Sequence, residues 1–119
     1  MKKLAVIDWQ LVMKNLPGYD LAYLLFSNTD VDLRRNIFED CCNAYLSGLK
    51  DRNLDLSHDK LHKNMMYSLM AQTIIPVNGG ANFDLENQRS RKLFEVIADR
   101  MFSAIEDYDA TSFIEEQWK

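Results

Sequence analysis

The sequence predicts a mainly α-helical fold with a short β-strand or hairpin at its N-terminus. Leu4–Ile7 is a continuous apolar run with β-branched members, which is typical of a strand covered on both faces. Most of the remaining chain carries apolar residues at helical spacing with charged residues between them. The chain has 119 residues, of which 47% are hydrophobic and 27% charged, so we expect one globular domain at most.

Two helices are predicted in the first half of the chain. Pro17-Gly18 favours a turn, and the first helix is expected to follow it directly. Its run Leu21–Phe26 is apolar almost all round, which predicts a helix buried in a larger body. The second helix is expected from Asp30 or Asp32 to about Lys50. Its apolar stripe consists of Phe38, Cys41, Cys42, Tyr45, Leu46 and Leu49.

Two more helices are predicted in the second half. Ser57 is a suitable N-cap for the third helix, which Pro76 and the glycines of the expected turn Asn78–Asn82 would end. Its core positions are Leu61, Met65, Leu69 and Ile74. Asp84 is expected to cap the last helix, and the acidic tail Asp109–Lys119 has no predicted element. The core positions of the last helix are Leu93, Phe94, Ile97, Met101, Ile105 and Tyr108.

Composition and charge argue against several classes of function. The formal net charge is -4 and no basic stripe is present, so nucleic acid is not an expected partner. No apolar run approaches the roughly 18 residues that span a bilayer, and the N-terminus lacks the pattern of a signal peptide. We therefore expect no membrane contact and a cytoplasmic location. Cys41 and Cys42 are adjacent, so we expect both to be reduced and buried.

Asp8 is the most informative residue of the N-terminal segment. A carboxylate at the end of a buried strand costs several kcal/mol unless it is paired, hydrogen-bonded or bound to a cation. A divalent metal at the edge of a sheet would satisfy it, because carboxylate oxygens are hard ligands and a strand fixes their position. Capping of the following loop by the same carboxylate is an equally open alternative.

Asp20 is a second carboxylate with a defined context. It follows Gly18-Tyr19 and precedes the apolar run of the first helix, so its oxygens are expected in the positive field of a helix N-terminus. Taken alone, a plain N-cap is the simpler interpretation. Together, an acid that closes a strand and an acid that opens a helix form a more specific pattern than either residue does.

These segments resemble a known family. The sequences Val6–Gln10 and Pro17–Leu25 are similar to the segment of ecdysteroid kinase-like enzymes that leads from a metal-binding aspartate into the first large helix of the C-terminal lobe. The family lies within the aminoglycoside-phosphotransferase and choline-kinase-like superfamily. Arg34-Arg35 and Tyr45–Leu49 resemble its next helix, and beyond residue 49 the likeness is only architectural. The resemblance implies the helical C-terminal lobe of a protein kinase-like fold, truncated at its N-terminal side.

The resemblance also implies roles for four residues. Asp8 would hold Mg²⁺ against the phosphates of ATP, Trp9 would take the place of the packing aromatic residue, and Gln10 would stand at a nucleotide-binding position of open role. Asp20 would brace the catalytic loop by accepting hydrogen bonds from its backbone. The acceptor would be a hydroxyl group of a small molecule whose identity the sequence does not specify.

The family's remaining catalytic parts are not recognisable in the sequence. It contains no glycine-rich loop, no strand lysine with a helix glutamate, and no His-Gly-Asp-x-x-x-x-Asn loop. We therefore expect residues 1–119 to be one partial domain, with a metal-binding strand, loop and core helix at 1–28 and a helical subdomain at 29–119. The chain alone is not expected to transfer phosphate, and its apolar surface is expected to bind a missing N-terminal half or to self-associate.

Other interpretations compete with the kinase-like one. A phosphatase of the haloacid-dehalogenase type would need a second acid at position 10, where the chain has Gln10. A non-catalytic helical interaction module or kinase remnant is the alternative from a different class. His58 and His62 are four residues apart, but without a third ligand surface solvation is favoured over a metal site. Core filling is favoured over an acceptor pocket for the methionines Met65, Met66 and Met70.

Overall fold

The structure is a computed structural model that describes residues 3, 5, 12–82, 84 and 86–117. The helices of this part are α1 (Tyr19–Ser27), α2 (Val31–Lys50), α3 (His58–Gln72), α4 (Ile74–Asn82), α5 (Gln88–Asp107) and α6 (Ala110–Gln117). The mainly helical fold predicted from the sequence is therefore confirmed. None of the described residues lies in a β-strand. The strand predicted at Leu4–Ile7 falls, except for Ala5, outside the described residues and stays a prediction.

Side-chain caps define where the long helices begin. The Asp30 carboxylate accepts the Asp32 amide at 3.1 Å at the start of α2. The Ser57 hydroxyl accepts the Lys60 amide at 3.2 Å at the start of α3. Each cap satisfies one of the amide groups that have no partner within a helix, so the helix begins at a defined residue. Both starts agree with the sequence prediction.

The start of α5 differs from the prediction. Asn87 is its N-cap and accepts the Arg89 amide at 3.0 Å. The Asp84 carboxylate instead accepts the Glu86 amide at 3.1 Å, so it closes a turn before the helix. The prediction that Asp84 caps this helix was therefore wrong. Aspartate and asparagine both favour such local hydrogen bonds, and only the geometry of the turn decides which of them is the cap. Leu93 is also exposed rather than part of the core.

The predicted end of the third helix was also wrong. α3 ends at Gln72, and after Thr73 the chain continues as α4, which contains Pro76 and the segment expected to be a turn. Pro76 is the third residue of α4, where its missing amide removes no hydrogen bond within the helix. Ile74 begins α4 and is 59% exposed, so it does not belong to the core as predicted.

The acidic tail forms a helix where none was predicted. Asp109 has a positive φ of 48°, which turns the chain back after α5, and α6 follows. Ala110 is buried, and the Phe113 ring packs edge-on against Tyr67 with centroids 5.3 Å apart. The two predicted C-terminal helices are therefore four in the structure, because α4 and α6 depend on tertiary packing more than on a long periodic pattern.

The core lies around α3, which contacts each of the other five helices. Its buried apolar residues are Ala22, Leu25, Phe26, Phe38, Cys42, Leu61, Met65, Met66, Leu69, Met101, Ala104 and Ala110. The core-filling role predicted for the methionines is thus confirmed, with Met70 partly buried against the cluster. Cys41 and Cys42 are free; Cys42 is buried as predicted, whereas Cys41 is only partly buried, so its predicted burial was wrong. Burial raises the pKa of the Cys42 thiol to about 11, so it stays protonated at neutral pH.

α1 is buried on one side only. Ala22, Leu25 and Phe26 pack into the core, whereas Tyr23 is 42% and Leu24 55% exposed. The apolar run predicted that α1 is buried on all sides, and among the described residues this prediction is wrong. No helix in the described part of the chain is long and apolar enough to cross a membrane.

Candidate functional site

Three of the four predicted site residues lie outside the described residues. Asp8, Trp9 and Gln10, together with the segment around them, are not described, so their roles stay predictions. Asp20 is described, and its surroundings in the described part are the turn before α1 and the helices that pack on it. The candidate site is therefore built from Asp20 outward.

Asp20 lies in the first turn of α1 and is exposed. The helix starts at Tyr19, and its cap position is Gly18, which has no side chain to cap with. Asp20 as an N-cap was therefore the wrong alternative. Its carboxylate does lie at a helix N-terminus, as predicted, where the partial positive charge of the helix favours an anion. It makes no hydrogen bond or ion pair with any described residue.

Gly18 is the point where the chain enters α1. It is buried and has a φ of 94°, a conformation that residues with a side chain rarely adopt. A Cβ atom at this position would lie 2.6 Å from Leu61 Cδ1 and 3.2 Å from Met65 Cγ. Glycine is thus required both by the backbone angle and by the close approach of α3.

Three polar side chains from α2 and α3 bind the turn Pro17–Tyr19, and we call them the turn clamp. The Tyr45 hydroxyl accepts the amide of the middle residue at 2.9 Å. Asn64 Nδ2 donates to the carbonyl of the first residue at 3.0 Å. Gln72 Nε2 donates to the carbonyl of the last residue at 3.2 Å. Three successive backbone units are therefore fixed by residues that lie 27 to 53 positions further along the chain.

The clamp was not predicted, although part of its signal is present in the sequence. Asn64, Ser68 and Gln72 recur every four residues on α3, and all are at least 93% buried. The Ser68 hydroxyl donates to the Asn64 carbonyl at 2.8 Å, so only the outer two reach the turn. A polar row beside an apolar stripe indicates a helix face with hydrogen-bond partners. Tyr45 was assigned to the apolar stripe of α2, and nothing in its spacing indicates the distant amide that it binds.

Exposed apolar side chains accompany Asp20 in the chain. Val12, Met13 and Leu16 precede the turn and are 69%, 60% and 44% exposed, and Tyr23 and Leu24 follow it. We call these five residues the apolar flank. So many exposed apolar side chains in one short stretch are typical of a surface that packs against another chain segment.

Among the described residues, the two histidines are not joined by a third metal-ligating side chain. His58 Nε2 lies 2.9 Å from Glu39 Oε2 near the surface. His62 is half-buried and packs edge-on against Phe38 and Tyr108, so solvation at the surface was the wrong interpretation for this residue. Within the described ranges, no three His, Cys, Asp or Glu side chains are grouped closely enough to hold a metal ion.

The described residues therefore supply a single exposed carboxylate at a rigidly held helix start. Such a carboxylate can accept hydrogen bonds from backbone amides or from a partner side chain. The described residues that surround it include no second acid or base in hydrogen-bond contact with it. The arrangement is suited to organising a neighbouring loop and not to proton transfer by itself.

The N-terminal part of the chain matches the model of a known protein family. The model of the ecdysteroid kinase-like family matches residues 1–58, a segment that contains Asp8, Asp20, α1 and α2. No curated protein and no solved structure shows significant similarity to the chain. The match confirms the resemblance that Val6–Gln10 and Pro17–Leu25 predicted: residues 1–58 are similar to a segment of the ecdysteroid kinase-like family.

Proposed function

We propose that this chain is part of an ATP- and Mg²⁺-dependent phosphotransferase that phosphorylates a hydroxyl group of a small molecule. The family match over residues 1–58 is the observation that carries the proposal, because this segment contains both acids of the predicted site. The described residues lack a nucleophile and base in contact with Asp20, so the catalytic base is assigned to another part of the enzyme.

Asp8 is the proposed metal ligand. Its carboxylate is the kind of hard oxygen donor that Mg²⁺ prefers, and it follows an apolar run that predicts a rigid strand. Trp9 and Gln10 would lie beside the nucleotide. A bound Mg²⁺ would neutralise negative charge on the phosphates of ATP, which is the main electrostatic contribution in enzymes of this kind.

Asp20 is the proposed brace of the catalytic loop. Its exposed carboxylate at the start of α1 supports this role, since an acceptor without a described partner can bind backbone amides that come from elsewhere. The neighbouring apolar flank supports a packing surface for the rest of the enzyme. Both features suit a chain that supplies the second half of an active site.

The proposal is tested in the longest protein encoded by the reading frame that contains this sequence. Asp8→Asn keeps the shape of the side chain and removes its charge. Turnover of ATP with a panel of small alcohols is expected to fall at least about a hundredfold, because such contacts contribute about 3 kcal/mol or more at the transition state. Binding of ATP is measured by calorimetry with and without Mg²⁺.

Asp84→Asn is the matched control. Asp84 is exposed and closes a local turn, and an asparagine accepts the same amide, so turnover should stay at the wild-type level. Wild-type turnover in Asp8→Asn would exclude Asp8 as the metal ligand. Absence of Mg²⁺-dependent ATP binding in the wild-type protein would exclude the phosphotransferase itself.

A non-catalytic helical interaction module is the second candidate. The observation that favours it is the apolar flank, which lies next to a helical core with a continuous set of buried residues. A module of this kind would bind a protein through the flank and would ignore ATP. The substitutions Leu16→Glu and Leu24→Glu would then abolish partner binding in co-purification while ATP has no effect.

A further inference from the structure

We propose that the turn clamp of Tyr45, Asn64 and Gln72 is a set of positioning residues that fixes the Asp20 carboxylate for phosphoryl transfer. This inference rests on the proposed function, and it assigns a role to residues of α2 and α3 that lie far from Asp20 in the sequence. Tyr45 lies within the segment that matches the family, whereas Asn64 and Gln72 lie beyond it.

Asp20 is held through its backbone. Its carboxylate makes no hydrogen bond or ion pair with a described residue, so its position is determined by the preceding turn and by α1. The clamp bonds reach three successive units of that turn, and Gly18 seats it against Leu61 at the start of the helix. A side chain one residue beyond such a turn has little freedom other than its own rotamers.

The packing of α1 does not require Gln72. α1 already packs on α3 through apolar residues such as Leu25 and Leu69. The Gly18 carbonyl accepts the Ala22 amide at 2.8 Å as the first bond of the α1 ladder, and the Tyr19 carbonyl that Gln72 binds is the next acceptor in that ladder. Gln72 is 1% exposed, and its Oε1 has no partner among the described residues. A buried, unpaired oxygen is a cost that a methionine of similar size would avoid.

Gln72 contributes to the position of α1 more than to its stability. A buried amide that binds an already satisfied carbonyl adds little stability, but it selects one register of α1 along α3. Catalysis by positioning is sensitive to such a register, since misplacement of a group by about 1 Å can cost about a hundredfold in rate. The clamp is therefore explained by the position of Asp20 better than by the stability of the helix pair.

The experiment uses the full-length protein and three variants. Gln72→Met and Tyr45→Phe remove clamp bonds, and Tyr67→Phe is the matched control, since the Tyr67 hydroxyl has no hydrogen-bond partner among the described residues and its ring packs on Phe113. We expect kcat to fall at least about tenfold in both clamp variants while the KM for ATP changes less than about twofold. Thermal unfolding of Gln72→Met should match that of the wild type.

Asp8→Asn is measured in parallel so that the two proposals can fail separately. If Asp8→Asn is inactive and both clamp variants keep wild-type kcat, the clamp inference is wrong and the proposed function stands. If kcat falls only in proportion to lost thermal stability, the clamp is structural and the inference is again wrong. If the wild-type protein shows no Mg²⁺-dependent turnover of ATP, the proposed function fails and the inference fails with it.

Discussion

Two polar clusters connect α2 to distant parts of the fold, and they differ in chemistry. The turn clamp consists of neutral side chains that bind backbone groups of Pro17–Tyr19, where α1 begins. At the other cluster, which we call the arginine pair, Arg34 and Arg35 of α2 bind Asp107 at the end of α5 with N–O distances of 2.8 and 2.9 Å. Arg34 also donates to the Ser103 hydroxyl at 3.0 Å. Neutral bonds hold the proposed functional turn, and charges hold a helix end that carries no predicted site residue.

The arginine pair is unequal in burial. Arg34 has no exposed side-chain surface, whereas the Asp107 side chain is 25% exposed. Two Arg34 nitrogens, Nε and Nη1, have no partner among the described residues. Hydrogen bonds from Arg35 and Arg34 lower the pKa of Asp107 against an opposing effect of burial. This cluster therefore depends on one charge, while the clamp spreads its bonds over three backbone units.

The largest effect is expected from Gly18→Ala, which breaks the clamp at its centre. The left-handed backbone costs about 1–2 kcal/mol for a residue with a Cβ atom. Contact of that atom with buried Leu61 adds about 1–3 kcal/mol. We expect the free energy of unfolding to fall by about 3 kcal/mol in urea titration. A loss under about 1 kcal/mol would show that the turn is not held as described.

Removal of the central charge of the arginine pair is expected to have the next largest effect. Asp107→Asn leaves the buried Arg34 guanidinium without a counter-ion, which we expect to cost about 2–3 kcal/mol of unfolding free energy because Asp107 is only partly buried. Arg34→Met removes the buried charge and its unpaired nitrogens together. It should therefore change stability by less than about 1 kcal/mol.

The contrast between those two variants is the informative measurement. If Arg34→Met is as destabilising as Asp107→Asn, Arg34 contributes net stability in spite of its burial. Arg35→Met serves as a control for the exposed member of the pair, since Asp107 keeps Arg34 as its partner.

A smaller effect is expected from single clamp bonds. Tyr45→Phe leaves the buried Gly18 amide without its acceptor, which should cost about 1 kcal/mol. Gln72→Met should cost close to nothing, because the Tyr19 carbonyl keeps its bond within α1. Hydrogen exchange of the Gly18 amide checks the first expectation, since its protection should fall in Tyr45→Phe and not in Tyr67→Phe. Equal protection in all three proteins would contradict the clamp bond.

The sequence predicted local features well and tertiary ones poorly. The helix starts at Asp30 and Ser57 follow from capping chemistry within four residues, and the turn at Pro17-Gly18 follows from the two residues themselves. The arginine pair and the clamp join residues 27 to 73 positions apart, and such contacts leave no local pattern. The family resemblance could be identified from the two acids and their neighbours.

Two failures have a common physical cause. Pro76 and the glycines after it predicted the end of a helix, because proline and glycine are unfavourable inside helices. Pro76 lies in the first turn of α4, however, where that penalty does not apply. The polarity of His62 predicted that it is solvated at the surface. In the structure its ring packs against two aromatic rings, Phe38 of α2 and Tyr108 at the end of α5. In both cases the surroundings of the residue in the fold determine its conformation or its burial. Local sequence alone does not contain that information.

The smallest effect is expected from pH, through the titration of His62. Burial, and then the nearby His58, lower the pKa of His62, with Glu39 and Asp59 opposing them. The unfolded chain therefore binds a proton more readily than the folded one. The contribution of His62 is fully present above the unfolded pKa of about 6.5 and is lost progressively as the pH falls below it.

His62→Phe should remove this loss, because the ring keeps its packing against Phe38 and Tyr108 without a titrating group. Urea unfolding at pH values about one unit above and below 6.5 measures the difference. Tyr45→Phe is the control, since the clamp is neutral and its variant should keep the pH dependence of the wild type. The Arg34 guanidinium lies 5.4 Å from the Tyr108 ring centre, so a charged His62 also adds a second cation to the same aromatic group. An unchanged pH dependence in His62→Phe would place the titrating group elsewhere.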